Sequence, residues 1–119
     1  MILICDNEEP LRALVRAALE ELGHELIEAA DGDQALALVR ERQPDLLVLD
    51  VMMPGRSGLD VVAEIRGEPA IAGTKIVVVS ALAQAADVLA AEQAGADRFL
   101  RKPFSPLELE RVAAELLAS

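Results

Sequence analysis

Pro44-Asp45-Leu46-Leu47-Val48-Leu49-Asp50-Val51-Met52-Met53-Pro54-Gly55-Arg56-Ser57-Gly58 is the stretch that decides the fold. Four consecutive apolar residues, Leu46 to Leu49, read as a strand covered on both faces, since a half-exposed strand would alternate apolar and polar residues. Asp50 closes the run and a Pro-Gly turn follows. A carboxylate at the C-terminal end of such a strand stands where open α/β sheets bind ligands. Three other apolar runs end in polar or ionic groups. Ile2-Leu3-Ile4-Cys5 runs into Asp6, Ile76-Val77-Val78-Val79 into Ser80, and Phe99-Leu100 into Arg101-Lys102-Pro103. If the strands are parallel, all of these ends lie on one sheet edge.

Helical periodicity fills the intervals. Leu11, Leu14, Val15, Ala18, Leu19 and Leu22 form one apolar face of a first helix, with Pro10 in its first turn and Gly23 at its stop. A short strand around Leu26-Ile27 follows, then a helix with Ala35, Leu36 and Val39 inward that stops before Pro44. After Gly58 a third helix presents Leu59, Val62 and Ile65, and an Ala-rich fourth runs from about Gln84 to Ala94, stopped by Gly95. The last helix opens with Ser105, Pro106 and Glu108, the pattern of a capping box, and buries Leu109, Val112, Ala113, Leu116 and Leu117. Strand and helix alternating five times demand parallel strands joined by right-handed crossovers. The expected architecture is one domain over residues 1–119, a doubly wound α/β/α sandwich. Its commonest five-strand order, 2-1-3-4-5, has a switch point between strands one and three. Asp6 and Asp50 fall at that crevice.

Composition narrows the function. The chain has 119 residues, and 11 Lys and Arg against 21 Asp and Glu give a formal charge of −10, which argues against direct nucleic-acid or anionic-membrane binding. The single cysteine, Cys5, lies in an apolar run and reads as a small buried hydrophobe rather than half of a disulfide. No signal peptide and no apolar stretch of about 18 residues is present, so a cytoplasmic location is expected.

Two carboxylates forced together repel, and a hard cation relieves them. Magnesium takes oxygen ligands, one or two carboxylates with waters and phosphate oxygens. Asp6 and Asp50 could supply the carboxylates, and a carbonyl of the loop after Asp50 another oxygen. Lys102 and Ser80 then suit a phosphoryl group, as a point charge and a hydroxyl donor. Asp50 could itself be the nucleophile, since carboxylates form acyl phosphates. A magnesium-dependent phosphatase with an Asp nucleophile would need a second acid two residues further on, where Met52 stands.

The segments ILICDNEEPLR, PDLLVLDVMMPGRSGLD, KIVVVSA and GADRFLRKPF make the chain resemble, over essentially its full length, the receiver domain of two-component response regulators. The resemblance implies a flavodoxin-like fold and a phosphorelay in which Asp50 accepts a phosphoryl group from a histidine kinase phosphohistidine or a phosphotransfer protein, with Mg2+ bound alongside. It implies that Ser80 reads the phosphoryl oxygen, that Lys102 pairs with it, and that Phe99 is a rotameric switch. It implies that Met52 ligates magnesium through its carbonyl and that Lys102-Pro103 is a cis peptide. The domain is then a switch with self-directed phosphotransfer and slow autodephosphorylation, not an enzyme acting on a separate substrate. Its output or dimer face would be the fourth helix, fifth strand and fifth helix, where Asp97 and Arg111 resemble a charged dimer pair.

Three departures from the family pattern stand out. The adjacent acids of the first strand end read Asp6-Asn7, so an amide stands where a carboxylate is expected and weaker metal binding follows; Glu8 sits one residue too far along to substitute. Phe99 replaces a common Tyr, so an inward switch would rest on packing alone. Met52 and Leu82, two positions beyond Asp50 and Ser80, are apolar and cannot orient an attacking water. An alternative follows from the first departure: a degenerate receiver that acts as a phosphorylation-independent interaction module.

Overall fold

The computed structural model describes residues 1–119, arranged as strands alternating with helices. In chain order these are β1 (Ile2–Cys5), α1 (Glu9–Leu19) with a 3-10 turn at Glu20–Leu22, β2 (Leu26–Ala29), α2 (Gly32–Arg42), β3 (Leu46–Asp50), α3 (Gly58–Gly67), β4 (Lys75–Ser80), α4 (Ala85–Ala94), β5 (Arg98–Arg101) and α5 (Pro106–Ala118). The five strands form one parallel sheet in the order β2-β1-β3-β4-β5, the order the sequence implies. Register sets Cys5 beside Leu49, so the next residues, Asp6 just past β1 and Asp50 at the end of β3, stand side by side at the sheet edge.

Side chains alternate across the sheet and divide the core in two. Leu3, Cys5, Leu47, Leu49, Ile76 and Val78 pack with Ala35, Leu36, Val39, Val61, Val62, Ile65 and Ala91 of α2, α3 and α4. Ile2, Ile4, Leu46, Val48, Val77, Val79 and Leu100 pack with Val15, Ala18, Leu19, Leu109, Val112, Ala113 and Leu116 of α1 and α5. Each fully buried Leu, Ile or Val contributes roughly 1.5–3 kcal/mol relative to exposure, which explains why a chain with two aromatic residues still folds around aliphatic side chains.

The helix boundaries follow local chemistry. Gly23 closes the first helical segment with φ 78°, and Gly95 ends α4 with φ 112°, both in the left-handed region that glycine adopts without steric cost. Ser57 and Ser105 cap α3 and α5 by accepting from Asp60 N and Glu108 N. The box expected at α5 forms only this arm, whereas at α4 Gln84 N donates to the Asp87 carboxylate, 3.0 Å away. Two core assignments also differ. Leu14 is 45% exposed, because it lies about 100° around α1 from Val15, the centre of the buried stripe. Val61 is buried and Leu59 only half-buried, because α3 rolls toward α2, where an added Cβ at Gly32 would meet Val61 Cγ2 at 2.9 Å. No helix is long and apolar enough to cross a membrane.

Candidate functional site

The C-terminal sheet edge gathers Asp6, Asp50, Ser80 and Lys102, each delivered by the end of a different strand. Asp6 and Asp50 are only 5% and 6% exposed. Between them stands the Lys102 ammonium, with Nζ 3.3 Å from Asp6 Oδ2 and 3.3 Å from Asp50 Oδ1. Lys102 reaches this point because its amide continues the sheet, donating to the Ser80 carbonyl at 2.8 Å, before the chain turns through the cis Lys102-Pro103 peptide.

Asp50 Oδ1 also accepts from Met52 N at 3.3 Å, so the start of the β3–α3 loop folds back over the carboxylate, while Oδ2 takes no protein hydrogen bond. Burial raises the Asp50 pKa above the ordinary carboxylate value; Lys102 opposes the shift and the neighbouring Asp6 charge reinforces it. Beneath the pair, Cys5 has its thiol pKa pushed up to about 12, by burial first and then by the charges of Asp6, Asp31 and Asp50. It stays protonated, and Sγ donates to the Asp31 carbonyl at 3.4 Å. Ser80 is buried, and its hydroxyl oxygen accepts from Leu82 N at 3.0 Å, leaving its own proton to donate elsewhere.

The remaining candidates sit around this centre. Asn7 is exposed, in a loop tightened by the Glu8 amide donating to Asp6 Oδ1 at 2.9 Å; Glu8 is exposed as well. The side chains of Met52 and Leu82 stand at the rim, 55% and 51% exposed. Phe99 is half-buried on the α4 side, where it lines a cavity of about 50 Å3 with Ser80, Leu82 and Val51. The largest cavity, about 310 Å3, lies at the opposite sheet edge among Asp45, Thr74, Lys75 and Leu116, away from every one of these groups.

Donor chemistry decides whether a divalent cation suits the site. No three or more His, Cys, Asp and Glu side chains are arranged so that they alone could hold a metal ion. Asp6 and Asp50 therefore offer two carboxylates, which amide and backbone oxygens must supplement. That all-oxygen set fits magnesium, which is usually held through one or two carboxylates, and lacks the nitrogen and sulfur ligands that zinc favours.

Sequence reasoning missed two residues. Arg12 donates from Nη1 to the Asp6 carbonyl at 2.7 Å; the only local signal was a cation set between the inward-facing Leu11 and Val15. Met53, read as loop, is 8% exposed, with its sulfur 3.5 Å from Cys5 Sγ, and plugs the loop into the core.

Comparison with known proteins completes the assignment. The family model of the response regulator receiver domain matches residues 2–114. The chain belongs to this family. The receiver is 37% identical over 108 residues to the phosphate regulon transcriptional regulatory protein PhoB of Pseudomonas aeruginosa, covering 91% of this chain and 47% of that one. It is 39% identical over 116 residues to the DNA-binding response regulator MtrA of Mycolicibacterium paratuberculosis, covering 97% of this chain and 50% of that one. The chain thus spans about half the length of the curated relatives it matches. The crystal structure of the NtrX receiver domain from Brucella abortus matches with a TM-score of 0.90 and 33% identity, covering 100% of this chain and 99% of that one.

On the receiver's α4–β5–α5 face, both members of the expected charged pair have internal partners. Asp97 accepts from Arg66 Nη2 at 2.9 Å and from Ile76 N at 2.7 Å. Arg111 pairs with Glu115 at 3.0 Å, one turn along α5.

Proposed function

We propose that this receiver accepts a phosphoryl group on Asp50 from the phosphohistidine of a sensor histidine kinase or phosphotransfer protein, in the cytoplasm, and thereby switches a partner-binding surface. The observation that carries the reading is one ammonium, Lys102, shared between two buried carboxylates at parallel strand ends. An Asp50 carboxylate oxygen attacks phosphorus as the phosphorus–nitrogen bond breaks. The electron pair returns to the imidazole, which takes a proton from solvent, and an acyl phosphate remains. Oδ2, without a protein hydrogen bond, is the oxygen available for attack, while Met52 N and Lys102 hold Oδ1. Asp6, Asp50, the Met52 carbonyl and, weakly, Asn7 would hold magnesium, which when bound neutralises charge on the phosphoryl oxygens. Lys102 then turns from the carboxylates to a phosphoryl oxygen, and Ser80, at the end of β4 on this edge, offers it a hydroxyl donor.

Phosphorylation replaces the single negative charge of the Asp50 carboxylate with a phosphoryl group of roughly −1.5 to −2 charges. Ser80 and Lys102 are bonded to each other's strands, so their rearrangement reaches the Phe99 cavity and α4. The α4–β5–α5 face is the surface so biased, toward an output domain or downstream protein. A homodimer through it would need pairs other than Asp97 with Arg111. DNA binding, named for MtrA, is not ascribed to this domain, whose charge of −10 opposes it.

Incubation with acetyl phosphate and magnesium tests the reading. The wild type gains one phosphoryl group by intact mass and Asp50→Asn gains none; equal labelling of the two would sink it. With Met52 and Leu82 unable to orient water, the phosphoprotein should persist for many minutes or longer, and a lifetime of seconds would contradict this. Asn7 favours the second reading, a phosphorylation-independent interaction module. In that case neither acetyl phosphate nor beryllium fluoride alters the wild type, while Asn7→Asp restores the response.

A further inference from the structure

The Asp6–Asn7 loop has few anchors of its own. Asp6 N donates to the Ala29 carbonyl at 3.2 Å, the last backbone bond before the chain leaves the sheet. The Asp6 carbonyl, just beyond the strand end, is instead taken by the Arg12 guanidinium, from Nη1 at 2.7 Å. Arg12 is itself fixed. Its Nε donates to Glu28 Oε1 at 3.0 Å, and its backbone amide donates to the Glu8 carbonyl at 3.1 Å. The other Glu28 oxygen is held by Arg16 Nε at 2.8 Å, and Arg16 Nη2 donates to the Leu26 carbonyl at 3.2 Å. The Arg12 side chain is 15% exposed, so these bonds are partly shielded from solvent and salt.

We infer that Arg12 is a positioning residue for the metal-side donors, fixing the Asp6–Asn7 peptide plane so that the Asp6 carboxylate and the Asn7 amide face the site together. The planar fork satisfies a carbonyl and a carboxylate at once, at fixed mutual geometry, and a lysine ammonium cannot reproduce that. The requirement is sharper here than with two acids, because an amide oxygen attracts a cation more weakly than a carboxylate and so depends more on correct placement. This inference rests on the phosphorylation-site reading above.

Charge and position predict opposite signs, which makes the test decisive. Arg12 is a cation near a cation site, so if only its charge mattered, Arg12→Gln would strengthen magnesium binding. If it positions the donors, both Arg12→Gln and the charge-preserving Arg12→Lys weaken binding, on the order of tenfold, as loss of a residue that orients metal ligands typically does. Arg16→Gln removes a comparable Glu28 contact without touching the donor loop, and should leave affinity within about twofold on the same scale. Magnesium titration followed by amide chemical shifts of residues 5–8 and 50–53 reads all four proteins. Hydrogen exchange at the Glu8 amide, which reports the Asp6 Oδ1 bond, reads the loop without metal and should accelerate only in the Arg12 variants. Arg12→Lys serves if Arg12→Gln does not fold. Unchanged or tighter binding in the Arg12 variants, or equal effects from Arg16→Gln, overturns the inference. If the wild type binds no magnesium, the site reading fails, while an unchanged Glu8 exchange rate in the Arg12 variants would still separately refute the positioning role.

Discussion

Asp50 is an acid whose proton the folded chain holds more tightly than the unfolded chain does. Burial raises its pKa above the ordinary value of 3.8, with Lys102 opposing the shift and Asp6 adding to it. A folded-state pKa above the unfolded value means that the folded state holds this proton more tightly. The favourable contribution is therefore present at low pH and lost as pH rises through the folded pKa. At neutral pH the ionised carboxylate weakens the fold, and an amide of the same shape relieves it while leaving Lys102 paired with Asp6. Asp50→Asn should stabilise the protein at pH 7 and do so by less near pH ~4, where the native acid is closer to taking up its proton. Urea denaturation at the two pH values checks this; a loss at pH 7, or an equal gain at both, would show that Lys102 outweighs burial. The residue proposed to accept the phosphoryl group is thus predicted to sit in its resting state at a cost to stability.

Between residues and the whole stand the turns that aim them, and α3 shows how tightly one is built. An added Cβ at Gly58, the first residue of α3, would lie 2.5 Å from the Asp50 carbonyl oxygen and 2.7 Å from Val51 Cα. Both obstacles are backbone, so neither can swing aside. At Gly67, the last residue of the same helix, nothing lies within 4 Å. Gly58→Ala should therefore cost about 1–3 kcal/mol, as overpacking does, and displace the end of β3 that carries Asp50. Gly67→Ala should gain up to about 1 kcal/mol from helix propensity. Thermal unfolding of the two variants gives the signs, and a shift in the same direction for both would mean that the close approach at Gly58 is not rigid. This contrast also marks where sequence reading stops. The runs ending at Asp6, Asp50 and Ser80 were legible because strands buried on both faces are continuously apolar, whatever surrounds them. The roll of α3 that buries Val61 was not, since it depends on a glycine 29 positions earlier in α2. Arg12 was hidden for a related reason: its partners, the Asp6 carbonyl and Glu28, lie on two other elements, and helical periodicity says nothing of where a long side chain reaches.

At the scale of the molecule, the sheet separates two apolar layers that share no helix. α1 and α5 cover one face and α2, α3 and α4 the other, yet the strands between them are common to both, so the layers should be energetically separate and cooperatively linked. Ile65 of α3 and Leu109 of α5 are each 0% exposed and lie in different layers. Truncating either to Ala should cost about 2–5 kcal/mol through lost transfer energy and an incompletely closed cavity. With no shared side-chain partners, the double variant should show the sum of the two losses to within about 0.5 kcal/mol. Because a domain of this kind has about 5–15 kcal/mol in total, the pair removes much of the reserve. Unfolding should remain a single transition, since neither layer keeps its strands without the other. Denaturant titrations of the wild type, Ile65→Ala, Leu109→Ala and the double variant measure both quantities. Two resolved transitions would mean that the layers unfold independently. A coupling well above 0.5 kcal/mol would mean that strain crosses the sheet, in which case a change at the Asp50 edge could reach α5 through the core as well as through the β4–β5 loops.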